Sequence, residues 1–191
     1  MKEEYEVMRE TLKKFADMVG ENRIEIYNEA SLQFELGLFL RNSFSDQVVH
    51  FERNVADPDI LRRKKDFVKK EIDLVLFSSG NNQLNSAIEV KCPGNGQYPE
   101  QMYSFCKDIR FLEQLKKAGF KHSYFFVITQ DHLYWEGRCL NGIYGYFRNG
   151  ALINKTINKP TGDKSKSISM AGSYEIKWIM TGNIRYAIVE I

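Results

Sequence analysis

Tyr5, Met8, Leu12, Phe15 and Val19 recur at steps of three and four residues, the spacing that lines one face of an α-helix, and Gly20 is placed to end it. The same period returns at Leu32, Leu36, Phe39 and Leu40, which predicts a second helix over residues 28–40. The pattern then changes. Residues 47–53 read as a first strand, followed by a turn at Pro58. Residues 70–77 and 87–91 are short apolar runs crossed by charge, and the stretch between them is dense in Ser, Gly and Asn, so they are expected to fold back on each other as a hairpin. Pro99 suits the first turn of a helix. Met102, Phe105, Ile109, Leu112 and Leu115 give that helix a buried stripe as far as Gly119, with Gln101, Lys107, Asp108 and Arg110 on its more polar positions. Residues 123–129 form a continuous apolar run, typical of a central buried strand.

Beyond residue 130 the chain reads as short strands and turns. Residues 143–147 lead into Asn149-Gly150, a hairpin signal, with 151–153 as the returning strand. Residues 159–167 read as a loop. Residues 174–180 and 185–191 flank Thr181-Gly182-Asn183 as a closing hairpin. No internal repeat interrupts this order, and the whole chain is expected to form one domain: a helix at 1–23, a core at 24–130 and a β-rich extension at 131–191.

The charges within the two central runs carry the chemistry. Side chains two apart on a strand share a face, so Glu89 and Lys91 stand together while Ile88 and Val90 face the core. A hairpin register centred near Asn81 brings Asp73 opposite or diagonal to Glu89. Two carboxylates and an ammonium would then meet at one point. Hard cations such as magnesium take oxygen ligands and need only one or two carboxylates from the protein. Such a cation polarises a phosphate and lowers the pKa of a bound water, and a nearby lysine can orient that water or meet charge growing on phosphoryl oxygens. Glu-x-Lys alone is an ordinary surface pair. The acid on the preceding apolar strand is what makes the set uncommon.

Asp73 followed by Glu89-Val90-Lys91 resembles the metal-binding signature of the PD-(D/E)xK nuclease superfamily, the restriction-endonuclease-like fold. The resemblance covers roughly residues 24–130. It implies an α/β fold with an αβββαβ core, a mixed sheet flanked by helices, to which the N-terminal helix and the C-terminal β-hairpin are additions. Ile72 stands where the family name has proline, and a literal Pro58-Asp59 lies upstream, so Asp59 is a rival to Asp73. The resemblance implies Mg2+, with Mn2+ as a substitute, held by Asp73, Glu89 and the carbonyl of Val90. Lys91 would then position or deprotonate the attacking water. A helical glutamate near the metal is also implied; Glu29 has the matching position and Glu35 is the runner-up. The implied activity is hydrolysis of DNA phosphodiesters in restriction, repair or defence, with RNA not excluded. The competing expectation is an inactive nuclease-like module for nucleic-acid binding or protein assembly.

Composition changes little. The chain has 191 residues, 43% hydrophobic and 27% charged, with a formal net charge of +2, ordinary values for a globular domain. The charge is unevenly placed, however. Acids outnumber bases up to Glu29, whereas Arg62, Arg63, Lys64, Lys65, Lys69 and Lys70 crowd the approach to Asp73, where a phosphate backbone would need positive charge. No apolar run is long enough to span a membrane, and the N-terminus lacks a signal-peptide pattern. Three cysteines (Cys92, Cys106 and Cys139) without metal-ligand spacing suggest reduced thiols and a cytoplasmic location. Cys92 follows Lys91, but no histidine stands near it in sequence to activate it. The stripe of residues 5–19 could pair two protomers into a homodimer or pack on the chain's own sheet.

Overall fold

In the computed structural model the described residues are 2–57, 60, 67–78, 83–94 and 96–191. The main elements run α1 (Lys2–Gly20), α2 (Glu29–Ser43), β1 (Gln47–Asn54), β2 (Glu71–Ser78), β3 (Gln83–Lys91), α3 (Tyr98–Ala118) and β4 (His122–Thr129). After a 3-10 turn at His132–Tyr134 come α4 (Ile143–Arg148), β5 (Thr156–Asn158), β6 (Ser167–Ser169), β7 (Ile179–Thr181) and β8 (Ile184–Glu190). Six strands make a mixed sheet in the order β1-β2-β3-β4-β8-β7, and β5 pairs with β6 apart from it. Among the described residues only β3 and β4 run parallel, and α3 makes the crossover that a parallel pair requires. No helix among them is long and apolar enough to cross a membrane.

Alternation along the strands sorts side chains into two cores, because successive residues face opposite sides of a sheet. Leu74, Leu76, Ile88, Val90, Tyr124 and Phe126 face α1 and α2, meeting Leu12, Phe15, Leu32 and Leu36. Val75, Phe77, Ala87, Phe125 and Val127 face α3, meeting Phe105, Ile109 and Leu112. Glu89 and Asp73 belong by alternation to the α3 side. The stripe of α1 is used here: Met8, Leu12, Phe15 and Val19 are buried within the chain, so of the two uses open to it, packing on the chain's own sheet is the one seen.

Two expectations for the C-terminal part need correction. Residues 143–147 are helical, because Ile143 and Phe147, four apart, both bury against the α3 core. The closing hairpin exists, with β7 and β8 joined across Gly182 and Asn183, but it is no peripheral addition. Strand β8 lies against β4, pairing Phe126 with Ile188 and Ile128 with Tyr186. Much of the segment between also joins the α3 core, through Tyr134, Ile153, Ile157, Ile168 and Ile176. Buried Glu113 of α3 fastens it further, accepting the N–H groups of Ala171 and Gly172 (2.9 and 2.6 Å) and the hydroxyl of Tyr174 (3.0 Å).

The end of α1 meets the β7–β8 turn without room to spare. Gly182 has φ +54°, and a Cβ there would run into the backbone of Gly20. Gly182→Ala is therefore expected to destabilise the protein by about 1–3 kcal/mol, from overpacking together with a left-handed conformation that L side chains resist. A urea titration at equilibrium measures it; an unchanged midpoint would mean that this contact is not under constraint.

Candidate functional site

Each contributor to the site is placed by a local feature of the sequence. Strands β2 and β3 pair Leu74 with Ile88 and Val75 with Ala87, while nearer the turn a bulge at Leu76/Phe77 shifts the pairing to Phe77 with Leu84. Continued by one residue beyond Leu74 and Ile88, the first register sets Asp73 against Glu89. Here side chains take over from the backbone ladder. The N–H of Val90 donates to Asp73 Oδ2 (2.9 Å), and the N–H of Asp73 points at Glu89 Oε1 (3.3 Å). Glu29 is the first residue of α2, where Asn28 and Ser31 form a reciprocal cap, each side chain accepting the other's N–H at 2.9 Å. That cap fixes the helix entry and aims Glu29 at the end of β3, where its Oε1 accepts from Lys91 Nζ at 2.8 Å. Glu35, the alternative, lies further along α2.

A fourth carboxylate comes from α3. Asp108 is only 2% exposed, and its Oδ2 lies 3.6 Å from Lys91 Nζ. The expectation that Asp108 falls on the polar side of this helix is thus revised: it points inward. Spacing could have shown this, since Asp108 falls three residues after Phe105 and four before Leu112, inside the apolar stripe.

Lys69 is also not where a lysine tracking a phosphate backbone would be. Its Nζ bonds Glu89 Oε2, stands 3.0 Å from Asp108 Oδ1 and 3.9 Å from Asp73 Oδ1. Lys70, next to it, is exposed. Asp59 and the basic residues Arg62, Arg63, Lys64 and Lys65 lie outside the described residues. Val90 enters the site through its N–H, and the carbonyl role that the family resemblance implies stays an expectation.

Electrostatics follow from the inventory. Glu29, Asp73, Glu89 and Asp108 face Lys69 and Lys91, so acids outnumber bases by two when all are ionised. Burial pushes Asp73 up to about 6, against the pull of Lys69 and Lys91. Burial, with Asp73 and Asp108 adding to it, holds Glu89 well above the usual carboxylate range. For Lys91 burial disfavours the charge, yet Asp108, Asp73 and Glu29 outweigh it and keep the ammonium above its ordinary range. Lys69 behaves alike, with burial outweighed by Glu89, Asp108 and Asp73. Burial and then Glu29 push the Cys92 thiol up, the wrong direction for a nucleophile.

These directions give a pH dependence of stability. Asp73 is raised in the folded state from 3.8 to about 6, so its contribution is full below the unfolded value and is lost as pH rises through 6. The cation-free protein should therefore be more stable near pH 5 than near pH 7.5, by about 1.4 kcal/mol from Asp73 alone, with Glu89 acting in the same direction. Glu113, held below its ordinary 4.5 by the hydrogen bonds from Ala171 and Arg110 in spite of burial, opposes this only at lower pH. Urea denaturation at both pH values checks the sign.

A pocket of about 300 Å³ opens beside the site, lined by Glu29, Lys91, Cys92, Pro93, Gly94, Gln101, Ser104 and Phe105. A larger one of about 560 Å³ shares Cys92, Pro93 and Gly94 with it and extends past Tyr27 and Asp131. Among the described residues no group of three or more His, Cys, Asp or Glu side chains stands ready to hold a metal ion, and the Lys69 ammonium lies among the carboxylate oxygens. The donor set nevertheless suits a hard cation: carboxylate oxygens from three elements, with Asp108 Oδ2 buried and accepting no hydrogen bond. No family model, curated protein or solved structure matches this chain.

Proposed function

We propose that this protein is a metal-dependent nuclease of the PD-(D/E)xK type that hydrolyses DNA phosphodiesters. The carrying observation is the meeting of Asp73, Glu89 and Lys91 in one buried side-chain cluster on the α3 side of a mixed sheet. Asp73 and Glu89 would hold Mg2+ or Mn2+, with the Val90 carbonyl as the family resemblance implies and Asp108 within reach of the same cluster. A cation held there supplies charge to the phosphoryl oxygens and acidity to a bound water. The excess of carboxylates argues for that dependence, because a phosphodiester approaching the cation-free site would meet net negative charge.

Lys91 would position the attacking water. In the cation-free site burial disfavours the charge on Lys91, yet Asp108, Asp73 and Glu29 keep the ammonium charged, so there it stands as a hydrogen-bond donor for a water or a phosphoryl oxygen. Glu29 keeps Lys91 turned toward the pocket beside Ser104 and Gln101. Lys70, and the basic residues 62–65 before it, would draw in the nucleic-acid backbone.

One observation favours the second reading, an inactive module for nucleic-acid binding or assembly: Lys69 already neutralises the carboxylates that a cation would use. The two readings part in a simple assay. Purified protein is incubated with supercoiled plasmid, single-stranded DNA and RNA, with Mg2+, Mn2+ or EDTA. Cation-dependent cleavage leaving 5′-phosphate ends, absent in Asp73→Asn, supports the nuclease; retarded nucleic acid without cleavage under every cation supports the module.

A further inference from the structure

We propose that the Lys69 ammonium is the resident cation of the Asp73–Glu89–Asp108 pocket, and that a divalent cation enters by expelling it. This rests on the cation-dependent reading above and concerns how that site is kept closed. Three carboxylates from β2, β3 and α3 converge on one Nζ, which bonds Glu89 Oε2 and stands 3.0 Å from Asp108 Oδ1 and 3.9 Å from Asp73 Oδ1. The ring of Phe111 also lies beside it, with the centroid 5.7 Å away. These contacts leave a mismatch in charge. Lys69 brings one positive charge to three acids, and Lys91 is shared with Glu29. Asp108 Oδ2, buried, accepts no hydrogen bond. A hard divalent cation takes the same oxygens with twice the charge, and it competes for the place of the Lys69 Nζ, which bonds Glu89 Oε2 directly and stands 3.0 Å from Asp108 Oδ1, whereas Lys91 reaches Asp73 and Asp108 only from 4.0 and 3.6 Å.

Lys69 also has a way out. Its side chain is 23% exposed where that of Glu89 is 0%, and it lies just ahead of β2. The backbone on either side is fastened, the N–H of Val68 to Gln114 (2.9 Å) and the carbonyl of Lys70 to the N–H of Val55 (2.8 Å). Only the side chain of Lys69 therefore needs to turn, and no strand pairing is lost. Expelled, its ammonium stands at the rim beside exposed Lys70 and faces incoming phosphate. Cation binding and readiness for substrate become one event, a coupling between two ligands through one lysine.

Amine acetylation of the unaltered protein, read lysine by lysine by mass spectrometry with and without saturating Mg2+, tests this without any nucleic acid. Labelling of Lys69 should rise at least about tenfold with the cation, while Lys70 labels equally in both and Lys91 stays protected. In parallel, Lys69→Met should bind Mn2+ at least about tenfold more tightly by calorimetry, and its melting temperature should fall without the cation and recover with it. The acetylation carries the test if Lys69→Met does not fold. Unchanged labelling of Lys69 under saturating Mg2+ overturns the proposal, as does equal Mn2+ affinity in the two proteins or binding to neither. Cleavage and its loss in Asp73→Asn are measured separately, so a Lys69 that stays in place leaves the hydrolytic reading to stand or fall by itself.

Discussion

Asp73→Asn and Glu89→Gln are each expected to abolish cation-dependent cleavage, a loss of about a thousandfold or more, while leaving the fold intact. A carboxylate that holds a catalytic cation supports several kcal/mol of transition-state charge stabilisation, and roughly 4 kcal/mol is a thousandfold in rate. Both substitutions conserve shape, so the amide oxygen introduced by Asp73→Asn can still accept the Val90 N–H that Asp73 Oδ2 receives at 2.9 Å. Each also removes a charge from a pocket that already holds too many, with Asp73 only 6% exposed and Glu89 fully buried. The melting temperature of the cation-free variants near pH 7.5 should therefore match or exceed that of the unaltered protein. This combination, dead but no less stable, separates a chemical role from a structural one. Full cleavage by either variant, in protein free of contaminating nuclease, would remove these carboxylates from the mechanism.

How far the site could be read in advance depended on the range of the interactions. The β2–β3 pairing is local: a turn-forming stretch between two apolar runs joins the strands, so Asp73 could be set opposite or diagonal to Glu89 from spacing, although a bulge at Leu76/Phe77 that spacing does not show sets the final register. Glu29 stands out through the family resemblance, with Glu35 as the alternative, and the Asn28–Ser31 cap at the start of its helix is the local reason for its place. Asp108 left a weaker trace, an acid within an apolar stripe, overshadowed by Lys107 and Arg110 on either side. Lys69 left none. In the sequence it is one of several bases in a run, and only the fold of residues 67–70 against α3 turns it inward. The C-terminal part shows the same division. The turn at Gly182 was clear, but its place in the sheet depends on β4, more than fifty residues away in sequence, accepting β8 along its free edge. Residues 143–147 misled because alternating aromatics suit a strand, whereas burial of Ile143 and Phe147 on one side suits the helix they form.

Lys91→Ala is expected to slow turnover at least a hundredfold, about 3 kcal/mol, with nucleic-acid affinity changed far less. One lost phosphate contact lowers the salt dependence of binding by roughly one unit of slope, whereas a donor aimed at developing charge acts on kcat. Lys91→Arg should not rescue the rate, because a planar guanidinium cannot place its donors where a compact ammonium sits in a side-chain niche only 13% exposed. Glu29→Gln should have the milder effect of a positioning residue, about tenfold, by loosening the 2.8 Å contact that orients Lys91 without removing the ammonium. Stability supplies the control. Without a cation, Lys91→Ala leaves Asp73, Asp108 and Glu29 with one counter-charge fewer, so the variant should melt lower than the unaltered protein and recover when Mg2+ is added. Turnover by Lys91→Ala within about threefold of the unaltered protein would reduce Lys91 to that counter-charge role, and the case for hydrolysis would then rest on the carboxylates alone.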